Sequence, residues 1–230
     1  MSLKALGFDF GQTLGELDYD FLGQRLSERG VGFDPSSGKA QGKRAWDIYG
    51  AKKHEGHAPA WRAMMEAQLL GGGVPPERAA ELSAWLWDEQ PRQNLWRRPI
   101  PGMIELVREL KQRGTPIAII SNSEGHLAEL VDQLGWSNDF DVVVDSGRLG
   151  IDKPDPRIFQ HACAALGVKP EQLLHVGDAW EADVQGALGA SASAVWFDSE
   201  HSARALPERV YGAGTAAELR EVLARLGLVS

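Results

Sequence analysis

The sequence predicts an α/β protein in which a parallel sheet is covered by helices on both faces. From residue 98 onward, short apolar runs alternate with segments of helical periodicity, which is typical of strands joined by crossover helices. A similar apolar run at residues 4–8 opens the chain. The stretch between these two parts shows no convincing strand, and we expect it to form a separate helical domain.

The predicted strands are short apolar runs that end at polar or small residues. They are residues 4–8, 116–120, 140–144, 173–176 and 192–197. Their continuous apolar character favours strands that are buried on both faces of a sheet. Helices are predicted between them, with apolar residues at helical spacing from Ile104 to the terminating Gly114, and then over residues 124–134, 156–166, 180–188 and 215–226.

The helical domain is predicted to comprise residues 16–97, inserted into a core domain of residues 1–15 and 98–230. Five of the eight tryptophans fall in the insertion, and we expect them to supply a small aromatic core: Trp46, Trp61, Trp85, Trp87 and Trp96. Three glycines at 71–73, followed by Pro75 and Pro76, predict a break between two of its helices. A proline-rich segment at 98–102 leads back to the core domain.

Composition limits the classes of partner. The chain has 230 residues, a net charge of −8 and no block of like charge, so we expect no nucleic-acid binding and no membrane association. No apolar run approaches the roughly 20 residues that span a bilayer, and no leader segment is predicted. The single cysteine, Cys163, is predicted on the apolar face of a helix and suits a reducing compartment. We therefore expect a cytoplasmic monomer or homodimer.

Polar residues follow several predicted strands at the point where each strand ends. In a parallel sheet these positions meet at one edge, which is where such folds carry their functional groups. A carboxylate can attack phosphorus, and Mg²⁺ prefers oxygen ligands. A serine can donate to a phosphoryl oxygen, and a lysine can neutralise developing charge. The residues at this edge therefore indicate phosphoryl transfer: Asp9, Ser121, Asn122, Lys153, Asp178 and Asp183.

Four short motifs carry a resemblance to a known family. They are Asp-x-x-x-Thr at 9–13, Ile-Ile-Ser-Asn-Ser at 119–123, Lys-Pro-Asp-Pro at 153–156 and Gly-Asp-x-x-x-x-Asp at 177–183. In this order and spacing the set resembles the haloacid dehalogenase-like (HAD) hydrolase superfamily, over nearly the whole chain. The resemblance implies a Rossmann-like core with a helical cap domain after the first strand, and a Mg²⁺-dependent phosphatase of a small phosphorylated substrate.

The resemblance also implies a metal site. Asp9 would be both the nucleophile and a metal ligand, and Asp178 would be the second metal carboxylate. Asp183 would hold metal-bound water or orient Lys153. The backbone carbonyl of Gly11 would complete the protein's ligands.

Other positions would bind and activate the substrate. Ser121, with Asn122, would bind the phosphate, and Lys153 would stabilise the charge. Thr13 is expected to steady the loop after the first strand by hydrogen bonding and to lie at the substrate.

Gly11 is the departure from the family pattern. Family phosphatases carry at this position a second aspartate, which protonates the leaving group and then activates water. Glycine cannot carry a proton, and general acid–base catalysis is typically worth roughly 10²–10⁴-fold. Three readings follow: the substrate has a good leaving group, the protein binds a phosphorylated ligand or partner without efficient turnover, or another group supplies the proton, with candidates Glu16, Asp18, His54 and His57.

Two family branches also lack this aspartate. Dehalogenases lack the metal as well, and their last motif differs from Gly-Asp-x-x-x-x-Asp, so we do not expect dehalogenation. Phosphonate-cleaving members use a cap lysine as a Schiff base. Lys52 and Lys53 keep that alternative open.

Overall fold

The computed structural model describes residues 2–203 and 205–229. They divide into two compact units. The core unit contains the residues up to Glu16 together with those from Pro99 onward, and the helical unit is Leu17–Arg98. These limits differ by one residue at each junction from those expected from the sequence.

The core unit is built on a six-stranded sheet in which every neighbouring pair is parallel. Its strands, in the order in which they lie side by side, are β5 (Val142–Asp145), β4 (Ile117–Ser121), β1 (Ala5–Phe8), β6 (Leu173–Gly177), β7 (Ser193–Phe197) and β8 (Val210–Ala213). All residues of β1, β4, β6 and β7 are buried, as strands covered on both faces require. The predicted α/β fold is therefore confirmed.

Helices connect the strands of this sheet. They are α6 (Met103–Gln112), α7 (Leu127–Gln133), α8 (Ser146–Leu149), α9 (Pro156–Leu166), α10 (Gly186–Gly189) and α11 (Ala216–Arg225), with 3₁₀ turns at Pro170–Gln172 and His201–Ala203. The helix α9 begins where the sequence placed it, with Pro156 in its first turn and the Asp155 carboxylate accepting the Arg157 N–H. Cys163 lies buried on its apolar face, as predicted.

The helical unit consists of five α-helices and one 3₁₀ turn among the residues described. The helices are α1 (Tyr19–Ser27), α2 (Pro35–Ala40), α3 (Gly42–Lys52), α4 (His57–Gly71) and α5 (Pro76–Glu89), and the turn is Lys53–Glu55. Two short strands, β2 (Gly15–Glu16) and β3 (Arg98–Pro99), form a separate two-stranded sheet. None of the described helices combines the length and apolar character needed to cross a bilayer.

The expected aromatic packing of the helical unit is present in part. Its buried core contains mainly Leu, Met, Val and Ala side chains together with Trp61, which is 2% exposed. The Trp61 ring contacts the rings of Trp87 and Trp96, with centroids 5.4 and 6.1 Å apart, and Trp85, Trp87 and Trp96 pack partly buried against the core. Trp46 is 40% exposed, and its ring lies 6.4 Å from that of Trp96. The tryptophans therefore pack with and around a mainly aliphatic core rather than forming it alone.

Three local predictions also differ from the structure. The strand β8 was not predicted, because its four residues include Gly212 and two of them are only partly buried. The helix α7 starts at Leu127 rather than 124, because the Asp145 carboxylate accepts the N–H groups of Gly125 and Leu127 in the preceding loop. The predicted helix 180–188 is a π-helix over Trp180–Gln185, followed by α10.

Candidate active site

The carboxyl ends of three adjacent strands form the candidate site. The central strand β1 lies between β4 and β6 and runs parallel to both. Asp9 directly follows β1, Ser121 is the last residue of β4, and Asp178 directly follows β6. Because the three strands are parallel, these residues come to one edge of the sheet, as expected from the sequence.

Lys153 reaches this edge from the loop that precedes α9. Its Nζ lies 2.8 Å from Oδ1 of Asp9 and 2.6 Å from Oδ1 of Asp183. The whole residue is only 2% exposed, so its ammonium group is buried and requires these two negative partners. Burial alone would lower the pKa of Lys153, but Asp183 and Asp9 outweigh it and raise that pKa above its ordinary value. The lysine is therefore held as a cation against Asp9.

Asn122 holds the backbone of Lys153. The Lys153 N–H donates to Oδ1 of Asn122 at 2.7 Å, and Nδ2 of Asn122 donates to the Lys153 carbonyl at 3.0 Å. The amide oxygen and the amide nitrogen of Asn122 thus both bind the backbone of Lys153. The sequence had predicted that Asn122 binds the substrate. The structure places Asn122 as a support for the loop that carries Lys153.

The loop after β1 is held by backbone hydrogen bonds. The N–H groups of Leu14 and Gly15 both donate to the Phe10 carbonyl at 2.9 Å, and the Gln12 N–H donates to the Gly15 carbonyl. Thr13 is fully buried, but its Oγ1 has no hydrogen-bond partner within the described chain. The expectation that its hydroxyl steadies this loop by hydrogen bonding is therefore wrong.

Gly11 lies in the same loop. It forms an isolated bridge with Gly15, and the next residue, Gln12, adopts a left-handed backbone conformation with φ of 55°. The loop therefore turns back on itself directly after Asp9. The position at which family phosphatases carry a second aspartate lies within this turn and has no side chain.

Three carboxylates share the site. Oxygen atoms of Asp9, Asp178 and Asp183 all lie within 4.8 Å of one another. Burial, then repulsion from Asp9 and Asp183, raises the pKa of Asp178 well above its ordinary value. Burial also raises the pKa of Asp9, although Lys153 and a hydrogen bond from Ser121 oppose it. Burial would raise the pKa of Asp183 too, but Lys153 and His175 lower it below its ordinary value.

This donor set fits a small divalent cation. Three ionised carboxylates and one ammonium group leave a net charge of −3 + 1 = −2 in one small volume. Carboxylate oxygens are the ligands that Mg²⁺ takes, and it keeps several waters, so few protein ligands suffice. Burial first, and then repulsion from neighbouring carboxylates, raises the pKa values of Asp9 and Asp178, and a bound cation would oppose both effects.

His175 is a residue of the site that the sequence motifs do not indicate. This residue lies within β6, is fully buried, and its Nε2 is 2.9 Å from Oδ1 of Asp183. A histidine in an otherwise apolar strand was the available signal, since a buried imidazole needs a hydrogen-bond partner. The partner could not be identified without knowing that Asp183 folds back over the end of β6.

Part of this chain is similar in sequence to two proteins that are named as phosphatases. The phosphoserine phosphatase of Thermus thermophilus is 38% identical over 138 residues, which is 60% of this chain and 53% of that protein. The glyceraldehyde 3-phosphate phosphatase of Methanothermobacter thermautotrophicus is 36% identical over 104 residues, 45% of this chain and 46% of that protein. The chain thus spans about half the length of these relatives.

A solved structure agrees over the whole chain. The structure of the HAD-hydrolase YfnB of Bacillus subtilis bound to magnesium is similar, with a TM-score of 0.71 over 99% of this chain and 100% of that one, at 21% identity. At this identity the likeness establishes the fold. A family model for haloacid dehalogenase-like hydrolases matches residues 18–191, which begin after Asp9 and include Ser121, Lys153, Asp178 and Asp183. The match covers more than half of the 230 residues, and the protein belongs to the haloacid dehalogenase-like hydrolase family.

Proposed function

We propose that this protein is a Mg²⁺-dependent phosphatase of small phosphorylated metabolites that works through an aspartyl-phosphate on Asp9. The observation that carries the proposal is the placement of Asp9 at the end of the central strand, 2.8 Å from the buried Lys153 ammonium and within 4.8 Å of two further carboxylates. Relatives named as phosphatases support the same reaction class.

Asp9 would attack the phosphorus atom through a carboxylate oxygen. The bond between phosphorus and the leaving oxygen breaks as the acyl phosphate forms, and the leaving oxygen departs as an anion that solvent can protonate. Water next attacks the same phosphorus and gives up a proton to solvent, the bond to Asp9 breaks, and inorganic phosphate leaves with Asp9 restored as a carboxylate. Lys153 would stabilise the charge on the transferring group, and the hydroxyl of Ser121 would donate to one of its oxygens.

A bound Mg²⁺ would supply charge stabilisation for the phosphoryl oxygens. Asp9 and Asp178 would be its carboxylate ligands, and the Gly11 carbonyl would add a third protein oxygen. Asp183 has both its oxygens occupied by protein donors, namely Lys153 Nζ and His175 Nε2 on Oδ1 and the Ala179 N–H on Oδ2. Its main role in this proposal is therefore to orient Lys153.

The basic experiment measures phosphate release with and without Mg²⁺. The substrates are p-nitrophenyl phosphate, acetyl phosphate and a panel of phosphorylated metabolites. Asp9→Asn is expected to abolish turnover, whereas Asp132→Asn, an exposed aspartate of α7 in the same unit, should leave it unchanged. Turnover that survives Asp9→Asn would rule out an aspartyl-phosphate on this residue.

Gly11 predicts how the rate depends on the leaving group. Without an acid at this position, p-nitrophenyl phosphate, which leaves as a stable anion, should be hydrolysed much faster than phenyl phosphate. Gly11→Asp should narrow that gap and raise the rate on phenyl phosphate by more than about tenfold, since an acid–base group is worth roughly 10²–10⁴-fold. The matched control is Gly11→Asn, which has nearly the same shape but no proton to give. An equal effect of both variants would show that another group is the acid.

The glycine at position 11 also favours a second candidate function. A family member that has lost its acid–base group can retain a phosphate site and a cation site without efficient turnover. In that case the protein would bind Mg²⁺ and phosphate, measured by calorimetry, yet release no phosphate from any substrate in the panel.

No observation favours the phosphonate-cleaving alternative. Lys52 forms an exposed ion pair with Glu55 at 3.4 Å, as a solvated surface lysine does. Lys53 is exposed. The cytoplasmic location and the monomeric or homodimeric state stay predictions.

A further inference from the structure

His175 is a buried polar residue that the proposed mechanism does not use. It is 0% exposed, and its Nε2 lies 2.9 Å from Oδ1 of Asp183. Its other ring nitrogen, Nδ1, is buried and has no hydrogen-bond partner among residues 2–203 and 205–229. An apolar side chain would avoid burying an unpaired nitrogen. The contact with Asp183 is therefore the feature that requires a histidine at this position.

The surroundings hold the imidazole in place. Gly7 of β1 pairs in register with His175, and a Cβ at Gly7 would lie 3.0 Å from Nδ1 and 2.8 Å from the side chain of Ile120. Phe159 contacts the ring edge-on, with centroids 5.0 Å apart at 80°. The ring thus occupies a slot that the glycine leaves open, with Nε2 directed at Asp183.

Asp183 is fixed by three donors. Its Oδ1 accepts from Lys153 Nζ at 2.6 Å and from His175 Nε2, and its Oδ2 accepts from the Ala179 N–H at 3.0 Å. The absence of a side chain at Gly177 makes this position possible, because a Cβ there would lie 2.2 Å from Cγ of Asp183. The carboxylate therefore has one orientation that satisfies all of these contacts.

The contacts form a chain that ends at the nucleophile. His175 touches Asp183, Asp183 touches Lys153, and Lys153 Nζ touches Oδ1 of Asp9 at 2.8 Å. His175 does not itself reach Asp9. Because Nδ1 has no hydrogen-bond partner among the described residues, the ring proton that this geometry places is the one on Nε2, which is donated to Asp183.

We propose that His175 is a positioning residue that, by donating its Nε2–H to Asp183, fixes that carboxylate and so holds the Lys153 ammonium on Asp9. The inference rests on the proposed phosphatase function, because the reaction is what Lys153 serves. Loss of such a supporting hydrogen bond is expected to lower kcat by about 10- to 100-fold, by analogy with the outer partners of metal ligands.

Two substitutions at one position separate positioning from packing. His175→Leu removes the donor and keeps an apolar filling, whereas His175→Gln can place an amide N–H near the position of Nε2. For p-nitrophenyl phosphate with Mg²⁺, we expect kcat to fall about 10- to 100-fold in His175→Leu, with KM changed less than about threefold. His175→Gln should recover most of that loss, and His161→Gln, an exposed histidine of α9, should match the unmodified protein.

The result that would overturn the proposal is an equal kcat in the Leu and Gln variants at equal melting temperature. That outcome would show that the site needs only a side chain of suitable size at position 175, and not a hydrogen-bond donor.

A second measurement does not depend on turnover or on either variant folding. In ¹⁵N-histidine-labelled protein, NMR should show His175 protonated at Nε2 and bare at Nδ1, with slow exchange of the Nε2 proton. The opposite tautomer, with the proton on Nδ1, would overturn the proposal. If the unmodified protein released no phosphate from any substrate, the proposed function would fail, while the tautomer would still decide whether His175 donates to Asp183.

Discussion

Asp178→Asn is expected to stabilise the protein when no divalent cation is present. Asp178 is one of three carboxylates whose oxygens lie within 4.8 Å of one another, and the Lys153 ammonium group contacts the other two, Asp9 and Asp183. Burial and repulsion from both neighbours raise the pKa of Asp178 well above its ordinary value. The folded state therefore bears a repulsion that the unfolded chain does not.

Coulomb's law sets the size of the effect. Two unit charges 4.8 Å apart repel by about 3.5 kcal/mol at an effective dielectric constant of about 20. Asp178 faces two such charges, and attraction to Lys153 offsets roughly one of them. We expect the asparagine to raise the free energy of unfolding by about 3.5 kcal/mol at pH 8. For a chain of this size that corresponds to a rise in Tm of roughly 7–14 °C.

The assay compares thermal unfolding in EDTA and in Mg²⁺. In EDTA the variant should melt above the unmodified protein. Mg²⁺ at 100 times its Kd should stabilise the unmodified protein by about 2.7 kcal/mol, and the variant by much less because it lacks one ligand. A variant that melts lower in EDTA would refute the repulsion, and a variant that keeps the full Mg²⁺ response would refute the assignment of Asp178 as a ligand.

Asp145→Asn is the matched control of opposite sign. Asp145 is also a buried carboxylate at a strand end, but it accepts N–H groups of Gly125, Leu127 and Gly147 at 2.9–3.0 Å. An asparagine would keep one acceptor oxygen but turn its NH2 group toward at least one of these N–H donors. The substitution should therefore destabilise the protein by about 1.5–3 kcal/mol, the value of hydrogen bonds to a charged group, with or without Mg²⁺.

Three further outcomes test other parts of the structure. Trp61→Ala should lower the unfolding free energy by about 3–5 kcal/mol because this ring is buried in the helical unit, whereas Trp46→Ala, at 40% exposure, should cost far less in the same denaturation experiment. Burial raises the pKa of Cys163 to about 11, so iodoacetamide at pH 8 should label it only after unfolding; rapid labelling of native protein would contradict its placement. Thr215→Ala removes the side chain that accepts the Glu218 N–H at the start of α11 and should lower stability by about 1 kcal/mol in urea unfolding.

Much of the sheet could be predicted because its central strands are buried on both faces. Such strands must be continuously apolar, as in Ile117–Ser121 and Leu173–Gly177, and their ends are visible as the first polar or small residues. Asp9, Ser121 and Asp178 could therefore be placed at one edge from sequence alone. The edge strand β8 has no such constraint, since it pairs on one side and is only partly buried.

Side-chain partners could not be predicted, because they depend on which residues the register and the loops bring opposite one another. The pairing of Gly7 with His175 leaves room for the imidazole, and this relation joins residues far apart in the chain. Asn122 is of a residue type that can bind phosphate. In the structure its amide instead binds the backbone N–H and carbonyl of Lys153, which the fold brings next to it. In both cases the residue type shows only that the side chain needs a hydrogen-bond partner. Which residue supplies that partner depends on the fold.

In the proposed reaction, the residues that would stabilise charge differ from the position that would transfer protons. Asp9, Lys153 and Asp183 form a buried set in which each ionised group has an opposite partner, fixed to the sheet through short contacts. Proton transfer in this family pattern would instead depend on a side chain in the turn after β1, at Gly11. The absence of that one side chain removes no strand and no carboxylate of the cluster. We therefore expect the proposed phosphatase to keep its charge-stabilising residues and to favour substrates whose leaving groups need no acid.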